Sequence, residues 1–234
     1  MDEFDKEAHA QEVTSHVEET ETFNLGREIL EWVNVIVIAL VITLIVKVFI
    51  FDIVRVDGSS MYPTLINNDR LVVTKLGYKP SAGDIIILDS AYKKRQEYIA
   101  SLERTTGKEM TFLQKVKFKF TKPDYLKEIY YVKRIIALPG QTIDLTDDGE
   151  VTVDGKVLDE PYYKGTTKPI DARVQFPIKV EEGNVFVMGD NRNASKDSRS
   201  SELGQVPFDA IMGKAQLRIW PLNKLGMIEH YKHE

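Results

Sequence analysis

Tyr130-Tyr131-Val132-Lys133-Arg134-Ile135-Ile136 is the stretch on which the fold turns. It is aromatic or β-branched throughout except for a central Lys-Arg pair, so it reads as a β-strand. Strand alternation puts Tyr131, Lys133 and Ile135 on one face and Tyr130, Val132, Arg134 and Ile136 on the other. Lys133 therefore stands between an aromatic and a β-branched neighbour. Two readings follow: it points into an apolar setting, or it reaches past a strand edge to water. Similar runs lie on both sides along the chain. Leu71–Thr74 and Asp84–Leu88 precede it; Glu150–Val153 and Asn184–Met188 follow. Gly77, Gly83, Pro139-Gly140, Asp148-Gly149, Asp154-Gly155 and Gly183 punctuate them. The four residues between the two Asp-Gly pairs read as one strand of a tight hairpin ribbon. Together these signals predict a mainly β, mostly antiparallel domain over residues 53–225, followed by a short tail over 226–234.

Residues 91–129 break the pattern. Ala91 to Arg104 has a helical period, whereas Val116, Phe118 and Phe120 alternate with Lys115, Lys117 and Lys119, which predicts a mixed helical and strand insertion. The insertion carries ten bases against five acids, a net of +5. Its lysines either face water or meet anionic lipid head groups.

Upstream, Trp32 to Val46 holds no charge, and after Lys47 the apolar run resumes to Phe51. A helix over 32–51 spans roughly 30 Å at ~1.5 Å per residue, the thickness of a bilayer's hydrocarbon core. Lys47 lies one turn from its end and snorkels to the interface. The acidic residues ahead of the run, and the lack of a small-residue cleavage site after it, favour an uncleaved anchor. Residues 1–31 carry ten acids and two bases, a net of −8, which leaves +3 for the rest of a chain whose total is −5. Such a head reads as a disordered tail, and neither part is basic enough for nucleic acid to be the partner. Lys47 and Arg55 follow the anchor and only Arg27 precedes it closely, so the charge rule alone slightly favours an outward N-terminus.

What is missing narrows the chemistry. The 234 residues include no cysteine, so disulfides, thiol nucleophiles and Cys-based metal sites are excluded. The four histidines, His9, His16, His230 and His233, all fall in the predicted tails. A Ser-His-Asp triad or a histidine metal site inside the domain is therefore not expected.

Gly58-Ser59-Ser60-Met61-Tyr62-Pro63-Thr64-Leu65 stands just beyond the anchor. It is either a plain strand-to-loop connection or a turn that presents a serine hydroxyl together with its own backbone N–H. With no histidine or cysteine in reach, the base for such a serine is a lysine or a carboxylate. Burial lowers a lysine's pKa toward what a general base requires, which makes Lys133 the interesting one. The densest polar block, Gly189-Asp190-Asn191-Arg192-Asn193-Ala194-Ser195-Lys196-Asp197-Ser198-Arg199, reads either as generic Asx-turns or as a site element. In the second reading Ser195 orients a lysine amine, and Asp197 with Arg199 forms a supporting ion pair.

In this order, after an N-terminal anchor, these segments resemble the bacterial type I signal peptidases, a family of Ser-Lys proteases, in a Gram-positive-like form. The resemblance covers most of the chain. It rests on the Gly58–Leu65 motif, Gly83-Asp84-Ile85-Ile86, Tyr131 to Gly140, and the Gly189–Arg199 block. It implies a signal-peptidase fold and Ser60 as nucleophile with Lys133 as general base. It also implies that Ser195 orients the lysine and that Arg134, Asp197 and Arg199 form a framework. Where some members carry a second serine as oxyanion donor this chain has Gly58, so the hole rests chiefly on the Ser60 N–H. Val54, Val56, Met61, Leu65, Tyr131 and Val132 are implied as walls for substrate. The implied partners are secretory preproteins with small residues before the cut, and the lipid bilayer; no cofactor and no metal are implied. The resemblance also overrides the charge rule, implying a cytoplasmic N-terminus and an extracytoplasmic catalytic domain. Two other readings stay open: a narrow-specificity Ser-Lys processing peptidase of pilin or conjugation type, and an inactive tethered β-domain that binds envelope components.

Overall fold

The computed structural model describes residues 25–46, 50–163 and 165–231. The expected disordered head lies outside the described residues up to position 24, as do Lys47, Val48 and Phe49. The chain forms two units, residues 1–45 and 46–234.

In the first unit, helix α1 runs Leu25–Ile45. It is long and apolar enough to cross a membrane, and Gly26 to Ile45 are exposed all round. A helix that is apolar on every side calls for a non-aqueous surround. The helix starts before the expected 32–51 span; its α-helical part runs to Ile45, residues 46 and 50 are π-helical, and residues 47–49 lie outside the described residues. A hydropathy reading counts only apolar residues, but Arg27 and Glu31 pair at i,i+4 and carry the helix through the polar flank. At the other end Phe51 is already strand.

The second unit has twelve strands among its described residues. Strands β1 (Phe51–Arg55), β2 (Arg70–Thr74), β3 (Ile85–Asp89) and β4 (Tyr130–Ala137) come first. Next are β5 (Thr142–Leu145), β6 (Val151–Val153), β7 (Lys156–Val157) and β8 (Ile178–Lys179). Last are β9 (Asn184–Met188), β10 (Val206–Pro207), β11 (Ile211–Trp220) and β12 (Gly226–Met227). The larger sheet has the order β1-β2-β11-β3-β4-β9-β10, with β12 on β11; β7-β6-β5-β8 form the smaller one. Pairing is antiparallel throughout. The mainly β, antiparallel expectation therefore holds.

Strand β3 explains why the larger sheet is covered on both faces. Ile85 and Ile87 join one apolar cluster with Val56, Met61, Leu65 and Leu71. Ile86 and Leu88 join another with Ile135, Val185 and Val187. A strand buried on both sides must be apolar at successive positions, and Ile85-Ile86-Ile87-Leu88 is. A third cluster, around Ile136, Ile143, Phe186 and Met188, joins the two sheets.

The insertion is helical rather than mixed: α2 spans Tyr92–Thr106 and α3 spans Phe112–Thr121. The alternation of Val116, Phe118 and Phe120 with lysines misled the strand reading. Thr111 and Gln114 form a capping box that starts a helix, and Phe118 stacks on Tyr98 of α2 at 5.8 Å. The C-terminal residues are likewise no tail through Tyr231. Strand β12 pairs with β11, Ile228 enters the core, and His230 Nδ1 accepts from the Ile85 N–H at 3.1 Å. A two-residue strand and single anchoring side chains leave no periodic signal, so the sequence pattern missed them and wrongly kept His230 out of the folded body.

Candidate active site

Strand β4 delivers Lys133 opposite Ile86 of β3. The lysine is 2% exposed. Its Nζ donates to Ser60 Oγ at 2.8 Å and to the Val132 carbonyl at 2.9 Å, and lies 5.1 Å from the centre of the Tyr131 ring. Removal from water holds its pKa down to about 8 against the opposing pull of Asp197 and Asp190. Of the two sequence readings of Lys133, the buried one is found. An amine that gives up its proton near neutrality, in contact with a serine hydroxyl, can accept that hydroxyl's proton.

Ser60 sits in a turn that leaves β1 and folds under the larger sheet. Gly58 has φ +99°, a conformation that L side chains rarely adopt, and its N–H donates to Asn67 Oδ1 at 3.0 Å. That N–H is therefore committed within the turn. The Ser60 N–H has no acceptor among the described residues and is free to meet a developing oxyanion. After Ser60, Met61 and Leu65 pack into the core.

The Gly189–Arg199 block clamps this turn from the other side. The Asn191 N–H donates to the Ser60 carbonyl at 3.0 Å, and Asn191 Nδ2 donates to the Ser59 carbonyl at 3.1 Å. Arg134, next to the lysine, forks onto Asp190: Nε to Oδ1 at 2.9 Å and Nη2 to Oδ2 at 2.7 Å. Thr64 Oγ1 donates to the same carboxylate, and Arg134 stacks over Tyr162 at 4.0 Å. Asp190 therefore links the segment after Ser60 to the strand that carries Lys133. Asp197 takes a two-pronged contact from Arg199, Nε to Oδ1 and Nη2 to Oδ2, each at 2.9 Å, and accepts from the Gly189 N–H at 3.0 Å. Both pairs are buried, so each charge is matched by a geometry that offsets its desolvation.

Ser195 departs from expectation. It comes close to the site, since a Cβ on Gly189 would lie 2.3 Å from Ser195 Oγ and 2.4 Å from the Ser60 carbonyl oxygen. Yet its Oγ is buried without a hydrogen-bond partner among the described residues, so it makes no hydrogen bond to Lys133. The Val132 carbonyl and Ser60 Oγ orient the amine instead.

A cleft of about 410 Å³ opens over the pair. Val54, Val56, Tyr131 and Val132 line it as the sequence suggested. Met61 and Leu65 do not: at 1% and 0% exposure they are core, because the turn points them beneath the sheet. Tyr130, Ala194 and Lys196 line the cleft and were not foreseen. Neither were Asp190 and Asn191, although both stood in the polar block. What singles them out is which partner each reaches. The cleft's rims offer unpaired strand edges. Strand β1 ends the sheet order, and β4 pairs with β9 only from Arg134 onward.

The family model described as signal peptidase, peptidase S26, matches residues 29–220. A signal peptidase I of Bacillus licheniformis is 34% identical over 216 residues, covering 88% of this chain and 97% of that protein. Signal peptidase I T of Bacillus subtilis is 34% identical over 205 residues, covering 84% and 88%. Signal peptidase I S of the same organism is 32% identical over 216 residues, covering 88% and 97%. The family match spans most of α1, the Ser60 turn, the Lys133 strand and the polar block alike, and the chain belongs to the signal peptidase family, peptidase S26.

Proposed function

We propose that Ser60 and Lys133 are the nucleophile and general base of a membrane-anchored serine endopeptidase that removes signal peptides from secretory preproteins. The observation that carries the assignment is the 2.8 Å contact between Ser60 Oγ and a buried amine of lowered pKa, at the floor of a cleft. A substrate strand enters between β1 and the first half of β4 and pairs with their free edges. Neutral Lys133 takes the Ser60 proton as Oγ attacks the scissile carbonyl. The Ser60 N–H stabilises the oxyanion. Lys133 then hands the proton to the leaving amine, and a water activated in the same way releases the acyl group. Val54, Val56, Tyr131 and Val132 favour small residues before the cut. Arg134, Asp197 and Arg199 hold the two segments in register, and Gly58 lets the turn adopt its positive φ.

Helix α1 anchors the chain, with its N-terminus in the cytoplasm and the β domain on the far side, where signal peptides emerge after translocation. The decisive experiment incubates the full chain, reconstituted in vesicles, with a preprotein and identifies the new N-terminus of the product. Cleavage after a small residue by the wild type and none by Ser60→Ala is expected. Equal cleavage by Ser60→Ala overturns the assignment.

A further inference from the structure

Helix α3 is built for a surface that the described residues do not supply. None of its residues is buried. Phe112, Val116 and Phe120 follow one another at i, i+4 and i+8, with Leu113 beside them, and so share one face. They are 79%, 41%, 83% and, for Leu113, 77% exposed. At 100° per residue, Lys115 and Lys119 flank this stripe on one side and Lys117 flanks it on the other. Phe118 points the opposite way and stacks on Tyr98, which seats the helix on α2 with its apolar stripe outward. The capping box at Thr111 and Gln114 keeps the helix formed without a packed apolar face.

We infer that α3 lies in the plane of an anionic lipid surface, with Phe112, Leu113, Val116 and Phe120 below the head groups and the flanking lysines at phosphate level. The arrangement has the three parts of an interfacial helix: an apolar stripe, aromatic residues within it and cations along its borders. The inference rests on the reading of α1 as a membrane anchor. Five residues separate Ile45 from Phe51. Fully extended they reach about 20 Å, so the β domain is confined to the surface layer. Charge selects lipid over a second copy of this chain. Two α3 stripes packed about a two-fold axis would bring their bordering lysines together, in an insertion that already carries net +5. Anionic head groups neutralise the same lysines, each of which raises partitioning by up to about fivefold.

The chain contains no cysteine, so single cysteines take a spin label cleanly. The full chain, labelled in turn at Ile38→Cys, Phe120→Cys and Thr121→Cys, is reconstituted in phosphatidylcholine vesicles with and without phosphatidylglycerol. Collision with oxygen and with a water-soluble nickel complex then gives depth. The labels at 38 and 120 should be oxygen-rich and nickel-poor, and the label at 121 the reverse. Replacing Lys115, Lys117 and Lys119 by Gln should make the 120 label shallower only where phosphatidylglycerol is present. Cleavage of a short soluble peptide should be unchanged in all these variants, which shows that the fold is intact. If 38 is embedded while 120 is as water-exposed as 121, the inference is overturned and the anchor stands. If 38 is itself water-exposed, the anchor reading falls and the inference falls with it. Broadening between 120 labels that survives dilution with lipid would overturn it in favour of a second copy.

Discussion

Lys133 Nζ and Ser60 Oγ lie 2.8 Å apart although the two residues are 73 positions apart in the chain. Among the described residues no third side chain hydrogen-bonds to both. The carbonyl of Val132 takes a second amine proton, and the lysine is otherwise enclosed by protein. The pair acts as a unit, so losing either member should be as harmful as losing both. Ser60→Ala and Lys133→Ala should each lower kcat on the order of a thousandfold or more, and the double variant should be little worse. Steady-state cleavage of a signal-peptide substrate, with matched circular dichroism, tests this. Substantial turnover by Lys133→Ala would remove the lysine from the mechanism.

The rate should follow the neutral form of Lys133. Its pKa is held down to about 8 by burial, so kcat/KM should climb with pH through that value and be weak in acid. A profile that stays flat from mild acid to alkali would be incompatible with lysine as base.

The same burial has a cost in stability. The folded pKa lies below the ordinary lysine value of 10.5, so the folded state binds fewer protons than the unfolded state between about 8 and 10.5. Stability should therefore rise with pH across this window. Lys133→Met, which removes the buried ammonium, should be more stable than wild type near pH 7 by at most about 3 kcal/mol, and this advantage should fade above pH 8. Denaturant titrations of both proteins across the pH range give the difference directly; an advantage that does not vary with pH would contradict the burial argument.

Gly189 touches both halves of the site without contributing a side chain. A Cβ there would meet Ser195 Oγ at 2.3 Å and the Ser60 carbonyl at 2.4 Å. Side-chain rotation can relieve the first clash but not the second, which is with backbone. Gly189→Ala should therefore displace the Ser60 turn and cut kcat by about a hundredfold, as misplacement on the order of 1 Å does. Wild-type kcat in this variant would show that the turn moves freely.

His230 holds the C-terminal segment to the sheet. Burial, with Lys214 nearby, lowers its pKa from 6.5 to about 4, and Asp84 opposes the shift. Depression means that the unfolded state binds the extra proton first, so this contribution is complete above about 6.5 and is lost as pH falls toward 4. His230→Ala also strips the Ile85 N–H of its acceptor and should cost about 1–3 kcal/mol at neutral pH. The variant should show a shallower loss of stability between pH 6.5 and 4; an unchanged acid slope would place the titrating group elsewhere.

How far the sequence could be read follows from what its signals encode. Period and composition report which residues need a dry neighbour, and that was enough for the β domain and the apolar helix; for Lys133 it left burial and a strand edge equally open, and the structure decided for burial. The motif order carried Ser60, Lys133, Arg134, Asp197 and Arg199 into one region. The same signals failed where periods coincide: Val116, Phe118 and Phe120 alternate like a strand, but Phe112, Val116 and Phe120 repeat every four residues, and only the stack of Phe118 on Tyr98 separates the cases. Met61 and Leu65 are apolar beside the nucleophile, which suits a pocket wall and a core alike; the direction of the turn after Ser60 sends them to the core.

Residue types and their order determined by themselves that this chain has a membrane-length apolar helix, a β domain and no thiol, and they left a lysine or a carboxylate as the base for any nucleophilic serine. The tertiary structure alone decided which groups meet. It put Asp190 between Thr64 and Arg134, set Asn191 on the carbonyls of the Ser60 turn, left Ser195 Oγ without a hydrogen-bond partner among the described residues and drew His230 into the sheet. The physical reason is that hydrogen bonds and ion pairs act over about 3 Å, whereas these partners are separated by tens of residues or more along the chain. No local pattern encodes such a distance; it emerges only when burial of the apolar clusters fixes every strand in register.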